Sequence, residues 1–189
     1  AGTKFAFGSA VASAGATPRS SEVDASTLTW TTVTSAEAAC ALVTSALERR
    51  VTADNGLNSV SSRSHLIIFY ALLGPRGERK GQLALVDLAG SERLGRTEAT
   101  GGLRDEAISI NRSLTALGDV LHALVGKTEH VPYRHSKLTT LLQPCLKRGA
   151  RVALIIAVSP SSEDALETLQ TLGFGVRARN VHLGPMAST

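Results

Sequence analysis

The stretch Leu-Val-Asp-Leu-Ala-Gly-Ser-Glu, which begins at Leu85, constrains this chain more than any other part of its sequence. The aliphatic residues 83–86 predict a short buried strand. Asp87 follows that strand, and Gly90 comes three residues later. An aspartate at a strand end can hold Mg²⁺ through its water shell, and a glycine lets its backbone N–H closely approach a phosphate. The stretch therefore predicts a strand end suited to phosphate chemistry.

A second polar segment, Asn-Ser-Val-Ser-Ser-Arg-Ser-His, lies upstream and begins at Asn58. Its adjacent hydroxyls, Ser61 and Ser62, suit Mg²⁺ and phosphate oxygens, and Arg63 suits a bidentate pair with a carboxylate. Glu92, at the end of the first stretch, needs a cationic partner. We therefore expect Arg63 and Glu92 to form an ion pair.

Hydrophobic periodicity predicts alternating strands and helices along the chain. The turn 74–77 folds the second strand onto the third as an antiparallel pair, which would bring Arg63 near Glu92. Residues 152–158 are apolar throughout and predict a strand buried on both faces. The alternation predicts an α/β fold. Strands are expected at residues 28–33, 66–73, 83–86 and 152–158, and helices at residues 34–51, 110–124, 136–142 and 165–176.

The first predicted helix has a sequence signal at each end. Thr34, with Glu37 three residues later, predicts a capping box at its start. Arg49 and Arg50 lie in its last turn, where positive charge complements the helix dipole. Its inward apolar face is expected to contain Ala39, Leu42, Val43, Ala46 and Leu47.

The composition is typical of a globular protein. With 43% hydrophobic and 19% charged residues, the chain can bury a core. The net charge of +4 fits an acidic partner without requiring one, and nucleic acid is not an expected partner. No apolar run approaches the roughly 18 residues needed to cross a bilayer, so a membrane is not expected either.

The sequence predicts three segments. Residues 1–27, rich in Ala, Gly, Ser and Thr, predict a poorly ordered leader; residues 28–182 predict one domain, and residues 183–189 a short tail.

Together, the two polar segments resemble the two nucleotide-sensing switches of kinesin motor domains. Residues 106–117 resemble the main tubulin-facing helix of that family, residues 130–139 the basic loop after it, and residues 159–178 the last strand exit and last helix. The resemblance covers about residues 30 to 182. It implies a P-loop NTPase-like α/β motor head, a central mixed sheet flanked by helices, that takes ATP and Mg²⁺ as cofactors and microtubules as its partner.

The resemblance also implies roles for individual residues. It assigns ATP binding to Asn58, Ser61, Ser62 and Gly90, Mg²⁺ binding to Ser62 and to Asp87 through water, and catalysis to Arg63, Glu92 and Ser62. The pair of Arg63 and Glu92 would close when ATP is ready for hydrolysis, with a water molecule as the nucleophile. His65 is interpreted as structural and not catalytic. Contact with the acidic tubulin surface is assigned to Arg134 and Lys137, with help from Arg93, Arg96 and Arg104.

The end of the chain resembles the close of C-terminal-motor, kinesin-14-type kinesins, in which the stalk precedes the head. This likeness rests on Val181-His182-Leu183-Gly184-Pro185. It implies a dimer formed through a stalk outside this chain. The family resemblance places the protein in the cytoplasm on the microtubule cytoskeleton, including the spindle or centrosome.

A hydrolase of this class also needs a glycine-rich loop that ends in Gly-Lys-Ser or Gly-Lys-Thr. Gly126-Lys127-Thr128 ends that way, but Leu121 stands where the first glycine is required. The triplet is therefore predicted to be a loop and not a nucleotide site. We expect the chain to correspond to the C-terminal half of a motor head, with the phosphate-binding loop and the neighbours of strand 152–158 in the other half.

Other residues depart from the family pattern at helix ends and interiors. Pro144 is expected to end the third helix early. Gly173 and Gly175 lie within the last helix and each cost it about 1 kcal/mol relative to alanine. Two functions remain open at this point: an ATP-driven microtubule motor, and a microtubule-binding or regulatory protein that does not hydrolyse ATP.

Overall fold

The computed structural model describes residues 4–13, 28–52, 64–90 and 102–184, and for residues 4–13, 51–52, 102–107 and 109 it describes the backbone alone. These residues fall into two compact units, which divide after Gly90. The first unit contains β1 (Lys4–Ser13), β2 (Thr31–Val33), α1 (Ala36–Thr52), β3 (Ser64–Leu73) and β4 (Arg79–Asp87). The second contains α2 (Gly102–Val125), α3 (Lys137–Leu142), α4 (Ala165–Arg179) and three short 3₁₀ turns at Tyr133–His135, Gln143–Cys145 and Ser162–Asp164.

A four-stranded antiparallel sheet forms the first unit, with strand order β2-β1-β3-β4. The strand β1 pairs along its whole length with β3, from Lys4 opposite Leu73 to Ser13 opposite Ser64. The structure thus differs from the predicted poorly ordered leader over residues 1–27, whose remaining residues 1–3 and 14–27 lie outside the described part. The difference has a physical reason: β1 is held by backbone pairing on both of its edges, which a composition of small residues does not reveal.

The hairpin of β3 and β4 confirms the predicted antiparallel pair, but the predicted burial of residues 83–86 is wrong, since Leu83, Leu85 and Val86 are exposed at the edge of the sheet. Its register runs from Leu66 opposite Asp87 to Leu73 opposite Arg79. Gly77 sits in the turn with a φ of 82°, a conformation that costs glycine little, and its N–H donates to the carbonyl of Gly74 at 3.0 Å. The hairpin register places the carboxyl end of β4 beside the start of β3.

Helix α1 packs on one face of this sheet. Ala46 joins Val33, Leu66 and Ile68 in a buried cluster, and Ala39, Leu42, Val43 and Tyr70 pack against it. The predicted inward face is therefore confirmed except for Leu47, which is exposed. The line of inward-facing positions continues from Ala46 to Arg50, one helical turn later. Leu47 is rotated away from that line and therefore lies at the edge of the apolar face.

The cap of α1 lies one residue later than predicted. The Ala38 N–H donates to Ser35 Oγ at 3.1 Å, and the Ala39 N–H donates to the Ser35 carbonyl at 3.2 Å. Ser35, and not Thr34, therefore occupies the capping position, and the helix begins at Ala36.

In the second unit, α2 carries the predicted apolar stripe. Ile110, Leu117 and Leu121 are buried, and Leu114 and Leu124 are half-buried. Helices α3 and α4 both contact α2. As expected, α3 ends at Leu142, and Pro144 lies in the 3₁₀ turn that follows. The stripe predicted from spacing is therefore the core-facing side of this helix.

The predicted strand 152–158 is wrong in this structure. Residues 151–161 have no regular secondary structure, and Ile155 is 91% exposed. A buried strand needs a neighbour for its backbone groups, and none of the described strands pairs with this segment. The segment instead touches α4, where a side-chain carbon on Gly175 would lie 3.1 Å from Ile156 Cγ1. Glycine at this position therefore permits close packing.

Candidate functional site

The structure describes part of the predicted nucleotide site. Asp87 ends β4, and Gly90 lies three residues beyond it. The backbone of Arg104 belongs to α2, but its side chain is not described. The predicted residues that lie outside the described part of the chain are Asn58, Ser61, Ser62, Arg63, Glu92, Arg93 and Arg96.

Asp87 is held by an arginine from the last turn of α1. Arg50 Nη1 donates to Asp87 Oδ2 at 2.5 Å. The same guanidinium donates from Nε to Ser64 Oγ at 3.1 Å and from Nη2 to the Ser64 carbonyl at 2.6 Å. The Arg50 side chain is 3% exposed, whereas that of Asp87 is 67% exposed. One buried cation thus joins the end of α1, the start of β3 and the end of β4.

Sequence reasoning missed this role of Arg50. The prediction placed it in the last helical turn as a complement to the helix dipole. Its position one turn after Ala46, in line with the apolar face, is the signal that could have indicated burial. A charged residue on an inward helical face requires a partner of opposite charge or a set of hydrogen-bond acceptors.

The described residues fit a magnesium ion held through water. The exposed Asp87 carboxylate is a suitable donor, because Mg²⁺ in phosphate sites keeps several waters and takes one or two carboxylates plus phosphate oxygens. Within the described ranges no cluster of three or more His, Cys, Asp or Glu side chains could enclose a metal. Asp87 is therefore the described residue that could hold the ion, beside the Arg50 guanidinium.

A buried imidazole lies next to the same strand end. His65, in β3, is 1% exposed, and its Nδ1 accepts the backbone N–H of Ala89 at 3.0 Å. Burial, and after it the nearby Arg50 cation, lower the pKa of His65 to about 4, although the Asp87 carboxylate partly opposes both effects. The ring is therefore neutral near pH 7, as its acceptor role requires.

The predicted basic loop has a rigid backbone. Ser136 caps α3 in a capping box: its Oγ accepts the Thr139 N–H, and Thr139 Oγ1 accepts the Ser136 N–H, both at 3.1 Å. Thr139 is fully buried, and its Oγ1 also lies 2.7 Å from the Tyr133 carbonyl. The Tyr133 hydroxyl donates to the Leu146 carbonyl at 3.0 Å. This network fixes the chain on both sides of the cap.

Arg134 and Lys137 flank that cap. Arg134 is exposed in the 3₁₀ turn, and Lys137 is half-buried at the first position of α3. The structure thus brings these two predicted cations onto one ordered surface segment. Two positively charged side chains on an ordered backbone suit an acidic macromolecular surface.

The Gly126-Lys127-Thr128 triplet is the C-terminal cap of α2. The Thr128 N–H donates to the Ala123 carbonyl at 3.1 Å, and the Lys127 N–H to the Leu124 carbonyl at 3.4 Å, in the pattern of a Schellman motif. Lys127 has a φ of 50°. The prediction that this triplet is a loop and not a phosphate cradle is consistent with this arrangement, because its N–H groups bond the helix itself.

Comparison with known proteins finds kinesins, both among protein families and among individual sequences. The family model described as "Kinesin motor domain" matches residues 14–181. The chain is 50% identical over 137 residues to a kinesin heavy chain of Syncephalastrum racemosum, with 70% of this chain and 15% of that protein covered. It is 45% identical over 144 residues to the kinesin-like protein KIN-14T of Arabidopsis thaliana, with 74% and 17% covered.

Solved structures give the same result. A fast kinesin matches with a TM-score of 0.77 and 36% identity, over 99% of this chain and 58% of that chain. A KIF14 motor dimer, solved with AMP-PNP in complex with a microtubule, matches with a TM-score of 0.75 and 28% identity, over 98% and 60%. The chain thus spans less than two thirds of these solved chains and about 15% of the curated relatives it matches.

These likenesses assign the fold to the P-loop NTPase-like α/β class, of which the chain covers a part. Within that class, the chain belongs to the kinesin motor domain family. Among the described residues, no helix combines the length and the apolar character that a membrane span requires.

Proposed function

We propose that this chain is part of a microtubule-based motor that couples ATP hydrolysis to movement or force, with ATP and Mg²⁺ as cofactors. The observation that supports this most is the ordered end of β4. There Asp87 is fixed by the buried Arg50, and Ala89 by the buried His65. Arg50 and His65 thus fix two nearby residues at the end of β4. A segment held in this way is suited to respond to the presence or loss of a bound phosphate.

The proposed roles follow the family resemblance residue by residue. Asn58, Ser61, Ser62 and Gly90 bind ATP; Ser62 and Asp87 hold Mg²⁺, Asp87 through water; and Arg63, Glu92 and Ser62 serve catalysis. Bound Mg²⁺ would neutralise charge on the phosphates. In this proposal, Arg63 and Glu92 pair when the site closes around ATP, and a water molecule is the nucleophile.

We propose that the basic loop contacts tubulin. Arg134 and Lys137 would supply the main contact, with help from Arg93, Arg96 and Arg104. The support is the capped, hydrogen-bonded backbone between Arg134 and Lys137, together with the likeness to a kinesin solved on a microtubule. The expected location is the microtubule cytoskeleton of the cytoplasm, including the spindle or centrosome.

The subtype and assembly are proposed from the chain's last residues. The proposed kinesin-14 type agrees with the likeness to KIN-14T. The proposed dimer would form through a stalk outside this chain. The proposed boundary of the motor-domain part, residues 28–182, overlaps the matched range 14–181.

A second function is favoured by one observation. Gly126-Lys127-Thr128, the chain's single Gly-Lys-Thr triplet, closes the end of α2 with its own backbone N–H groups. A chain without another way to hold the α- and β-phosphates would bind microtubules without hydrolysing ATP. The alternative is therefore a non-motile microtubule-binding or regulatory protein.

Co-sedimentation with microtubules, with ATP turnover followed in the same tubes, tests both functions. ATP turnover that rises with microtubule concentration would establish the motor's ATPase. Binding without turnover would favour the alternative. Failure to bind microtubules would contradict both.

Changing Arg134 and Lys137 together to alanine should weaken microtubule binding about fivefold to tenfold, since each exposed ionic contact contributes up to about 1 kcal/mol. The matched control is the double change of Lys147 and Arg148 to alanine, which removes the same charge from two exposed positions elsewhere in the second unit. Nucleotide binding should be unaffected in both variants. Equal loss of microtubule binding in the two double variants would contradict the assignment.

A further inference from the structure

His65 is a buried, titratable group to which the proposed catalytic roles give no task. It is the second residue of β3, where it lies opposite Ala12 of β1, and the next residue, Leu66, begins the pairing with β4. The imidazole is 1% exposed. A ring inside a central strand has little freedom to move, so a hydrogen bond to it defines the position of its partner.

That partner is a peptide group beside the proposed phosphate-sensing residue. β4 ends at Asp87, and residues 88–90 have no regular secondary structure. The Ala89 N–H therefore has no partner in a strand ladder, and His65 Nδ1 accepts it at 3.0 Å. Ala89 is buried, and Gly90 is the next residue. Fixing the Ala89 amide restricts the direction in which the Gly90 N–H points.

The bond requires one form of the imidazole. Nδ1 accepts a hydrogen bond only when its lone pair is unprotonated, so the proton of the neutral ring must be on Nε2. Burial and the Arg50 cation together lower the pKa of His65 to about 4, which keeps the ring neutral near pH 7. Because the ring of His65 is buried and neutral near pH 7, its Nδ1 remains able to accept a hydrogen bond.

We propose that His65 is a positioning residue: its Nδ1 lone pair holds the Ala89 amide so that the Gly90 N–H faces the terminal phosphate of ATP. This inference rests on the proposed function for its phosphate-related part. The held amide itself does not depend on that function. The two parts can be measured separately.

The first measurement concerns the amide and needs no ligand. In His65→Asn, the side-chain Oδ1 can replace Nδ1 as an acceptor, whereas His65→Leu is of similar size and has no acceptor. Ala89 amide exchange, followed by NMR, should be about tenfold faster in His65→Leu than in the wild type, as expected when a hydrogen bond is lost. In His65→Asn it should stay within about threefold of the wild type by the same reasoning.

The wild-type chain provides a test that survives if a variant fails to fold. The ¹⁵N shifts of the His65 ring should show an unprotonated Nδ1 and a protonated Nε2 near pH 7. A protonated Nδ1, or unchanged Ala89 exchange in His65→Leu, would overturn the held amide and with it the whole proposal.

The second measurement concerns the phosphate. With ATP and microtubules, His65→Leu should lower kcat about tenfold or more while changing KM less, because misplacement of a sensing group affects the closed state more than initial binding. His65→Asn should recover most of kcat. Unchanged kcat in His65→Leu, with fast Ala89 exchange, would overturn the positioning role.

The outcomes separate this inference from the proposed function. If the wild type shows neither ATP turnover nor binding of Mg·AMP-PNP, the proposed function fails, and the phosphate-related part of the inference is overturned with it. Ala89 exchange and the His65 tautomer would in that case still decide whether the amide is held.

Discussion

At the scale of single residues, the end of β4 depends on two buried polar side chains. Arg50 loses water on burial and regains hydrogen bonds, among them two to Ser64 and one to Asp87. His65 loses water and stays neutral. Because both are satisfied by specific partners, they define the positions of Asp87 and Ala89 more closely than apolar contacts would.

Acidification should destabilise the fold through His65. Its pKa is about 4 in the folded chain against an ordinary value of 6.5, so as the pH falls the unfolded chain binds the proton first. The stability that His65 contributes is complete above about pH 6.5, is lost progressively from there to about pH 4, and amounts to about 3 kcal/mol. Urea denaturation should show a loss about 2 kcal/mol larger in the wild type than in His65→Asn between pH 7.5 and 4.5. Parallel pH profiles would contradict this.

At the scale of elements, helix α1 is attached to the sheet of the first unit by its apolar face and by Arg50. The apolar face of α1 covers the sheet through Ala46 and its neighbours. Beyond it, Arg50 bonds Ser64 at the start of β3 and Asp87 at the end of β4. The side chain of Arg50 therefore links the end of α1 directly to both strands of the hairpin, although these segments are far apart in the sequence.

Replacing Arg50 by methionine should lower the free energy of unfolding by about 2–4 kcal/mol. Methionine keeps an apolar stem of similar reach but loses the hydrogen bonds of a charged donor, including the two that Arg50 donates to Ser64. The exposed Asp87 adds little to the loss, because water screens its charge. The measurement is urea denaturation of Arg50→Met.

Arg49→Met is the matched control, since Arg49 is the exposed neighbour in the same helical turn. Its effect should stay within about 0.5 kcal/mol. Similar losses in the two variants would show that Arg50 has no special part in joining α1 to the hairpin.

At the scale of the whole molecule, the described residues leave large apolar side chains exposed on each unit. β4 exposes Leu83, Leu85 and Val86. In the second unit, α4 exposes a stripe at spacings of three and four residues, formed by Leu166, Leu169, Leu172 and Val176. A helix that packs by one side and exposes a second apolar stripe is prone to self-association.

Changing Leu169 to glutamine should reduce self-association without destabilising the fold. Leu169 is 65% exposed, so its replacement should change the free energy of unfolding by about 0.5 kcal/mol or less. Sedimentation velocity and dye binding should show less association and less accessible apolar surface. Leu141→Gln is the control, because Leu141 is 1% exposed and its change should cost more than about 3 kcal/mol. A comparable cost at Leu169 would contradict this.

Much of the candidate site could be predicted because its signals are local. The aspartate and glycine that follow an aliphatic strand, the hairpin turn ending at Gly77 and the apolar stripe of α2 are read from a few nearby residues. Turn conformation, helix capping and side-chain periodicity depend on short-range backbone geometry, which the sequence by itself determines. The kinesin resemblance rests on the same segments.

The rest depended on pairing between distant residues. Arg50 and Asp87 are 37 positions apart, β1 forms only against β2 and β3, and residues 152–158 have a strand-like sequence without a strand partner. Local sequence fixes what a side chain or strand can bind, but which partner it meets depends on the free energy of the assembled core. Only the tertiary structure decided that Arg50 is buried and that His65 holds the amide of Ala89.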